Sequence, residues 1–407
     1  MMRGVCACFV SVAAAGATLP AFAIDPERAA RAHEMSARAI AWLRTQQDAG
    51  TGGWGVPPEG PVYPAITGLV LNGMLMEPGI DATDPDVERA LGFILSYRQE
   101  DGGIYDRVLA NYNTSICLSA LARARTSEAN AAIAPAQAFL RGLQYGESAD
   151  VDSPVGAETK VVDRSHPFYG GVGYGTHGRP DNSNLNLMLE ALHDSGVGGD
   201  DPAFQRALVF LARTQMSDAI NDMPYADHSS QGGFIYATSP DAQSVDGLIG
   251  QSQAGAIDET LSNGQTMSRL RAYGSMTYAG FKSYIYADLA RDDPRVVAAY
   301  EWLRRNYTLE ENPGIGTDGM YYYFVTFARA MDAWGEPTID VVVQDSEEGL
   351  AGARTQTRDW ANDLIDRLAS LQNEDGSFRS VDDRWMENHP VLITAYALIA
   401  LQHAARD

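Results

Sequence analysis

Several short phrases in this chain place hydrogen-bonding and aromatic side chains just ahead of apolar, helix-periodic runs. They are "NYNTS" (111–115), "RPDNSN" (179–184), "AYGSMTY" (272–278), "TDGMYYYF" (317–324) and "MENHP" (386–390). Together they supply Tyr112, Asn113, Asp181, Asn184, Tyr273, Met276, Asp318, Tyr321, Tyr322, Tyr323, Glu387, Asn388 and His389. A polar loop over 163–180 adds Asp163, His166 and His177. Tyrosine, asparagine and histidine gathered around an acid make a polar-aromatic cavity floor. Aromatic faces suit a hydrophobic chain, a cation or the flat side of a sugar. A tyrosine beside a histidine or arginine can also take a proton. Each residue has a plainer role as well. Asn113, Asp181 and Asp318 stand at helix starts, where short polar side chains cap free amides. Three successive tyrosines on a helix point three ways, so at most two face one cavity. The loop histidines lack metal-ligand spacing and read as decoration.

The elements that must hold these residues repeat. "AIAWLRTQQDAGTGGWG" (39–55), "ALGFILSYRQEDGGIY" (90–105), "AQAFLRGLQ" (136–144), "ALVFLARTQ" (207–215), "AYEWLRRNYTLEENPGIG" (299–316) and "DLIDRLASLQNEDGSF" (363–378) are variants of one unit. In each, a helical run ends in an amide side chain: Gln46, Gln99, Gln144, Gln215, Asn306 and Gln372. A glycine-rich turn, an aromatic and a second run with apolar spacing of three and four follow. The unit is therefore helix, glycine turn, helix, made six times. A helix exit leaves carbonyls unpaired and the next entry leaves amides unpaired, and a glutamine can serve both kinds of group. Between 237 and 270 the repeat is interrupted by a Ser, Gly, Asp and Gln-rich stretch, which reads as an insertion over a cavity mouth. A shorter link of the same kind covers 335–360.

Totals exclude some functions. With 407 residues, 45% of them hydrophobic, and a net charge of -23, the chain has material for a large core and repels phosphate backbones. Nucleic acid is not an expected partner. Residues 1–23 combine a basic start, an apolar run and a small-residue site ending at Ala23, the pattern of a secretory signal cleaved after that residue. Export to the periplasm or beyond is expected, with the mature chain, 24–407, forming one unit. Cys6 and Cys8 leave with the signal, and Cys117 remains on an apolar helix face as a core residue.

A helix ending in Gln before a glycine–aromatic turn resembles the repeat of squalene–hopene cyclases and of protein prenyltransferase β subunits. The resemblance spans about 30–402 and implies an all-α fold, an (α/α)6 toroid: six outer helices around six inner ones, with a central cavity. It places the turns before the inner helices at one mouth. In those terms Asp318 is the candidate acid, and Tyr321, Tyr322 and Tyr273 the groups that stabilise developing positive charge. Tyr112, Asn113, Asn184, Met276, Tyr323, Asn388 and His389 are the ligand-binding candidates. The chain departs from both families. No DxDD motif is present, and the prenyltransferase zinc set is broken, with Met320 in place of a cysteine and Ile393 in place of a histidine. No metal or cofactor is therefore expected. The resemblance implies a small hydrophobic ligand, isoprenoid among the candidates. The alternatives are a carbohydrate-processing toroid and a non-catalytic scaffold.

Overall fold

A computed structural model describes residues 24–147, 160–175, 178–241, 244–260, 264–343 and 353–405. The segment expected to be a signal (1–23) and His177 lie outside the described residues. The outer helices are α1 (Pro26–Thr45), α3 (Pro85–Leu95), α5 (Ser127–Gly142), α7 (Pro202–Thr214), α10 (Pro294–Arg305) and α12 (Trp360–Leu371). The inner helices are α2 (Pro64–Leu75), α4 (Ala110–Ala124), α6 (Asn182–Asp194), α9 (Gly274–Tyr286), α11 (Met320–Trp334) and α13 (Pro390–Ala404). Inner helices pack in the order α2, α4, α6, α9, α11, α13 and back to α2, which closes the ring. The fold is an all-α toroid of hairpins. Inner helices such as α2 and α13 are buried along nearly their whole length, whereas α7 and α12 bury one apolar face. Cys117 lies in that core.

All six outer helices start under their own side-chain cap: Asp25, Asp84, Thr126, Asp201, Asp293 and Asp359. Among the inner helices, only α6 does so, through Asp181. Of the other five, α2, α4, α9 and α11 are capped from the following hairpin, and α6 gains a bond from it as well. Ala65 N donates to Asn113 Oδ1 (3.1 Å) and Ser275 N to Asn312 Oδ1 (2.9 Å). Asn111 N and Asn182 N donate to the carbonyls of Tyr174 (2.9 Å) and Tyr236 (2.8 Å). Tyr322 N donates to Glu387 Oε1 (2.8 Å) and Tyr321 N to Glu387 Oε2 (3.2 Å). Five of the six inner-helix starts are thus closed by the next unit in the ring.

The glutamine corners do the same for the outer layer. The Gln144 amide donates to the Gly170 carbonyl (2.8 Å) and to the Ala203 carbonyl of α7 (2.9 Å). Gln215 reaches Gly232 (2.8 Å) and Arg295 of α10 (2.9 Å), and Gln372 reaches Gly376 (3.1 Å) and Met35 of α1 (2.9 Å). In the first unit the stitching residue is Gln47, bonded to Gly52 (2.9 Å) and Asp86 (2.8 Å), not Gln46. Gln46 is exposed and bonds only its neighbour Thr45. Gln99 stays within its own turn, on Tyr97 and Tyr105, and Asn306 within its own helix, on Trp302. The glycine at such a corner is required. Gly376 has φ 88°, and a Cβ there would meet the Arg38 carbonyl oxygen at 2.4 Å.

Two antiparallel hairpins that periodicity did not reveal interrupt the repeat. The insertion carries a short helix, α8 (Val245–Leu248), and the strands β1 (Ala256–Thr260) and β2 (Thr266–Leu270). The later link forms β3 (Thr338–Val343) and β4 (Arg354–Asp359).

Candidate functional site

The starts of the inner helices and the turns before them surround a cavity of about 220 Å³. Seven tyrosines line it: Tyr63, Tyr112, Tyr174, Tyr236, Tyr273, Tyr322 and Tyr396. Trp385, two methionines and aliphatic side chains complete most of the wall. Polar groups are few: Ser183, Ser275, Asn312 and Glu387. Among the described residues no lysine, arginine or histidine lines it.

The phenols are tied to one another and to helix hydroxyls. Tyr112 Oη lies 3.3 Å from Tyr396 Oη, and Tyr322 Oη 3.0 Å from Ser183 Oγ. Burial pushes the Tyr112 phenol up to about 12 and raises Tyr273, Tyr322 and Tyr396 well above the usual range. At neutral pH these groups are neutral donors and ring faces. None is a ready base.

Glu387 is the carboxyl that faces this wall. Its residue is 1% exposed, and it caps α11 with both oxygens where Asn113 and Asn312 cap α2 and α9. A neutral amide therefore suffices for capping, and the carboxylate adds a charge that the helix end does not need. Burial raises its pKa to about 7, with Asp382 pushing the same way, against the amides of Tyr322, Tyr321 and Met320. Asp181 is a second buried acid, pushed up to about 6 by burial and held by the Asn184 backbone (2.9 Å) and side-chain (2.9 Å) amides. It stands behind Tyr174 and Tyr236 rather than in the wall.

The sequence candidates separate. Tyr112, Tyr273, Met276 and Tyr322 meet in the cavity. Asp318, expected as the acid, does not: it pairs with Arg384 at the surface, its side chain 37% exposed. Nor does Asp318 cap α11, whose first amides go to Glu387 and, from Gly319, to Asp382 Oδ2 (3.1 Å). Tyr321 turns outward onto Phe378 and Phe324, and Tyr323 is sealed against Tyr278 and Phe327, its hydroxyl on the Thr308 carbonyl (2.7 Å). The helix start thus offers one of its three tyrosines to the cavity. Asn113 is a cap, and Asn184 holds Asp181. Asn388 is exposed, and His389 is half-buried outside the wall, with burial lowering its pKa. His166 hydrogen-bonds within its own loop, to Phe168 N (3.1 Å). Among the described residues no group of three His, Cys, Asp or Glu could hold a metal ion.

Tyr63, Tyr174, Tyr236, Trp385 and Tyr396 are cavity residues that sequence reasoning did not select. Tyr174 and Tyr236 are the closing aromatics of the glycine turns "GGVGYG" and "GGFIY", part of the repeat rather than of the helix starts from which candidates were drawn. Glu387 was visible one residue before Asn388 in "MENHP", but nothing local marks it as buried.

No protein-family model matches the sequence, and no curated protein is detectably similar to it. Among solved structures the chain is similar to an α-1,6-mannanase from Salegentibacter, with 8% identity and a TM-score of 0.54, over 92% of this chain and 99% of that one. It is also similar to an α-amylase from Clostridium perfringens, with 12% identity and a TM-score of 0.52, over 91% and 98% of the two chains. A type II terpene cyclase from Scytonema aligns over 93% and 98% at 13% identity, with a TM-score of 0.49. The mannanase and amylase similarities define the architecture, the α/α toroid.

Proposed function

We propose that the protein is an exported toroid of the prenyltransferase and squalene-cyclase kind that binds a small hydrophobic ligand, isoprenoid in class, in its central cavity. The observation that carries this reading is the wall itself: phenol rings, Trp385, Met276, Met386, Ile66, Leu109 and Leu392 around a space of about 220 Å³. Ligand sites are concave and mostly apolar, with a few placed polar groups, and this one has that composition. A sugar-cleaving reading is less well supported. A polysaccharide lyase-like toroid would use tyrosine with histidine and arginine as base and charge-neutralising groups, and among the described residues no histidine or arginine lines the cavity. A hydrolase would need two carboxyl groups, and among the described residues Glu387 is the only one there.

Native mass spectrometry of the exported protein, with geraniol as an added probe, tests the proposal. The expected result is a bound mass, either co-purified or equal to one geraniol. Met276→Trp, which fills the cavity, should abolish it without lowering the melting temperature. If wild-type protein carries no ligand and takes up no geraniol, or if Met276→Trp binds as well as wild type, the proposal fails.

A further inference from the structure

Buried acids elsewhere in this ring are matched by cations. At the far ends of the inner helices, Glu190 sits between Lys282 and Arg329, the latter at 2.6 Å, and Asp194 lies 3.6 Å from Arg123. At the cavity the pattern changes. Among the described residues Glu387 has no ion-pair partner, although its residue is 1% exposed. Instead it shares the wall with tyrosines from α4, α11 and α13, from the caps of α2 and α9, and from the turns that hold Tyr174 and Tyr236. Ring faces carry negative charge density and attract cations, most strongly where water is excluded. Asp181, behind the wall, adds its field to the rings of Tyr273 and Tyr322.

Two features oppose a cation, and both are blunted. The positive ends of the inner helices point toward the cavity, but their amides are turned onto Asn113, Asn312, Glu387 and the carbonyls of Tyr174 and Tyr236. The nearest arginines lie over rim aromatics. Arg384 is 4.6 Å from the Trp385 ring and paired with Asp318, and Arg179 is 5.8 Å from the Tyr236 ring and exposed to water.

We infer that the ligand brings the positive charge this cavity lacks: it is a hydrophobic organic cation, a tertiary or quaternary ammonium, seated among the tyrosine faces with Glu387 as its counter-ion. The inference rests on the reading of the cavity as a hydrophobic-ligand site and specifies the ligand's charge. Cavity volume sets its size. A dry cavity of roughly 150 Å³ admits benzene, so the larger space here suits a benzyl-sized ammonium.

The test compares benzyltrimethylammonium with neopentylbenzene, its neutral isostere in which carbon replaces nitrogen. Affinities are measured by calorimetry on the full mature chain at pH 8, where Glu387 is ionised. The cation should bind at least about tenfold more tightly than the isostere. Glu387→Gln, which keeps a capping acceptor for α11, should erase most of that preference, weakening the cation far more than the neutral isostere. Equal affinities, or tighter neutral binding, overturn the inference and leave the hydrophobic-site reading standing. An equal loss of both affinities in Glu387→Gln also overturns it, because the carboxyl would then merely shape the wall. If neither compound binds wild-type protein, the inference falls, and geraniol uptake decides the hydrophobic-site reading separately.

Discussion

Glu387 holds two amides of α11 and closes part of the cavity wall, and the two tasks make opposite demands on its charge. Donated amides favour the carboxylate, but burial outweighs them and lifts the pKa to about 7. The folded value therefore exceeds the unfolded one, about 4.3. Such a group leaves stability intact below the unfolded value and removes it as pH rises toward the folded one. Asp382, Tyr321 and Tyr396 face Glu387 from the neighbouring elements, and none is a cation that would reverse the sign. Relative to its own difference from wild type at pH 4, Glu387→Gln should gain on the order of 3 kcal/mol by pH 8. Urea denaturation across that range reads it. A flat difference would mean that the carboxyl is solvated after all. The wild-type residue is thus destabilising at neutral pH, which is the usual cost of a charge kept for a site.

At the scale of elements, the turn before α13 is the unusual one. Trp385 (φ 53°) and Met386 (φ 65°) are consecutive non-glycine residues in the left-handed region, and both line the cavity. Leu109 (φ 54°), at the start of α4, is a third such residue in the wall. Side chains in that region strain the backbone by roughly 1–2 kcal/mol each, and such strain persists where surrounding contacts enforce it. Here the contacts are visible. The Trp385 ring covers Gly319, where an added Cβ would approach it to 2.9 Å, and Arg384 bridges Asp318 and Gln253 of the insertion (2.7 Å). Trp385→Gly should relax the backbone and remove the cover together. Stability is expected to stay within about 1 kcal/mol of wild type. Probe release, followed by stopped-flow displacement of benzyltrimethylammonium or geraniol, should be roughly tenfold faster. Unchanged release would show that the ring does not cover the exit.

The whole molecule depends on closure. Gln372, on the last outer helix, binds the Met35 carbonyl of the first across 337 residues of chain. It also receives Arg38 and binds Gly376, so one amide joins the two ends of the ring. Gln372→Ala should destabilise by about 2–4 kcal/mol, since buried carbonyls lose their donors. The counterpart Gln99→Ala, whose side chain bonds only its own turn, should stay within about 1 kcal/mol. Thermal unfolding of both variants checks this, and equal effects would show that the corners are local turns rather than links between neighbours.

Much of the ring was legible because a hairpin unit is a local object. Glutamine, glycine turn and apolar spacing lie within about twenty residues and recur, so the six hairpin units could be read directly, and the family resemblance they carry implied the all-α toroid. The β1–β2 and β3–β4 hairpins were not legible: β1 and β4 are exposed and largely polar, and although β3 alternates buried Ile339 and Val341 with exposed Asp340, it is a single short run outside the repeat. The site was legible in part. Tyr112, Tyr273, Met276 and Tyr322 could be placed by their position at inner-helix starts, yet Asp318 and Glu387 could not be told apart. Both are acids near the start of an inner helix. Burial distinguishes them, and it follows from which neighbour stands opposite: Arg384 and water for Asp318, the end of α11 and a wall of phenols for Glu387. The sequence alone determined the repeat and part of the set of side chains around the cavity. Only the closed ring decided which of them lost water, because desolvation is set by groups distant in the chain and local pattern carries no record of it.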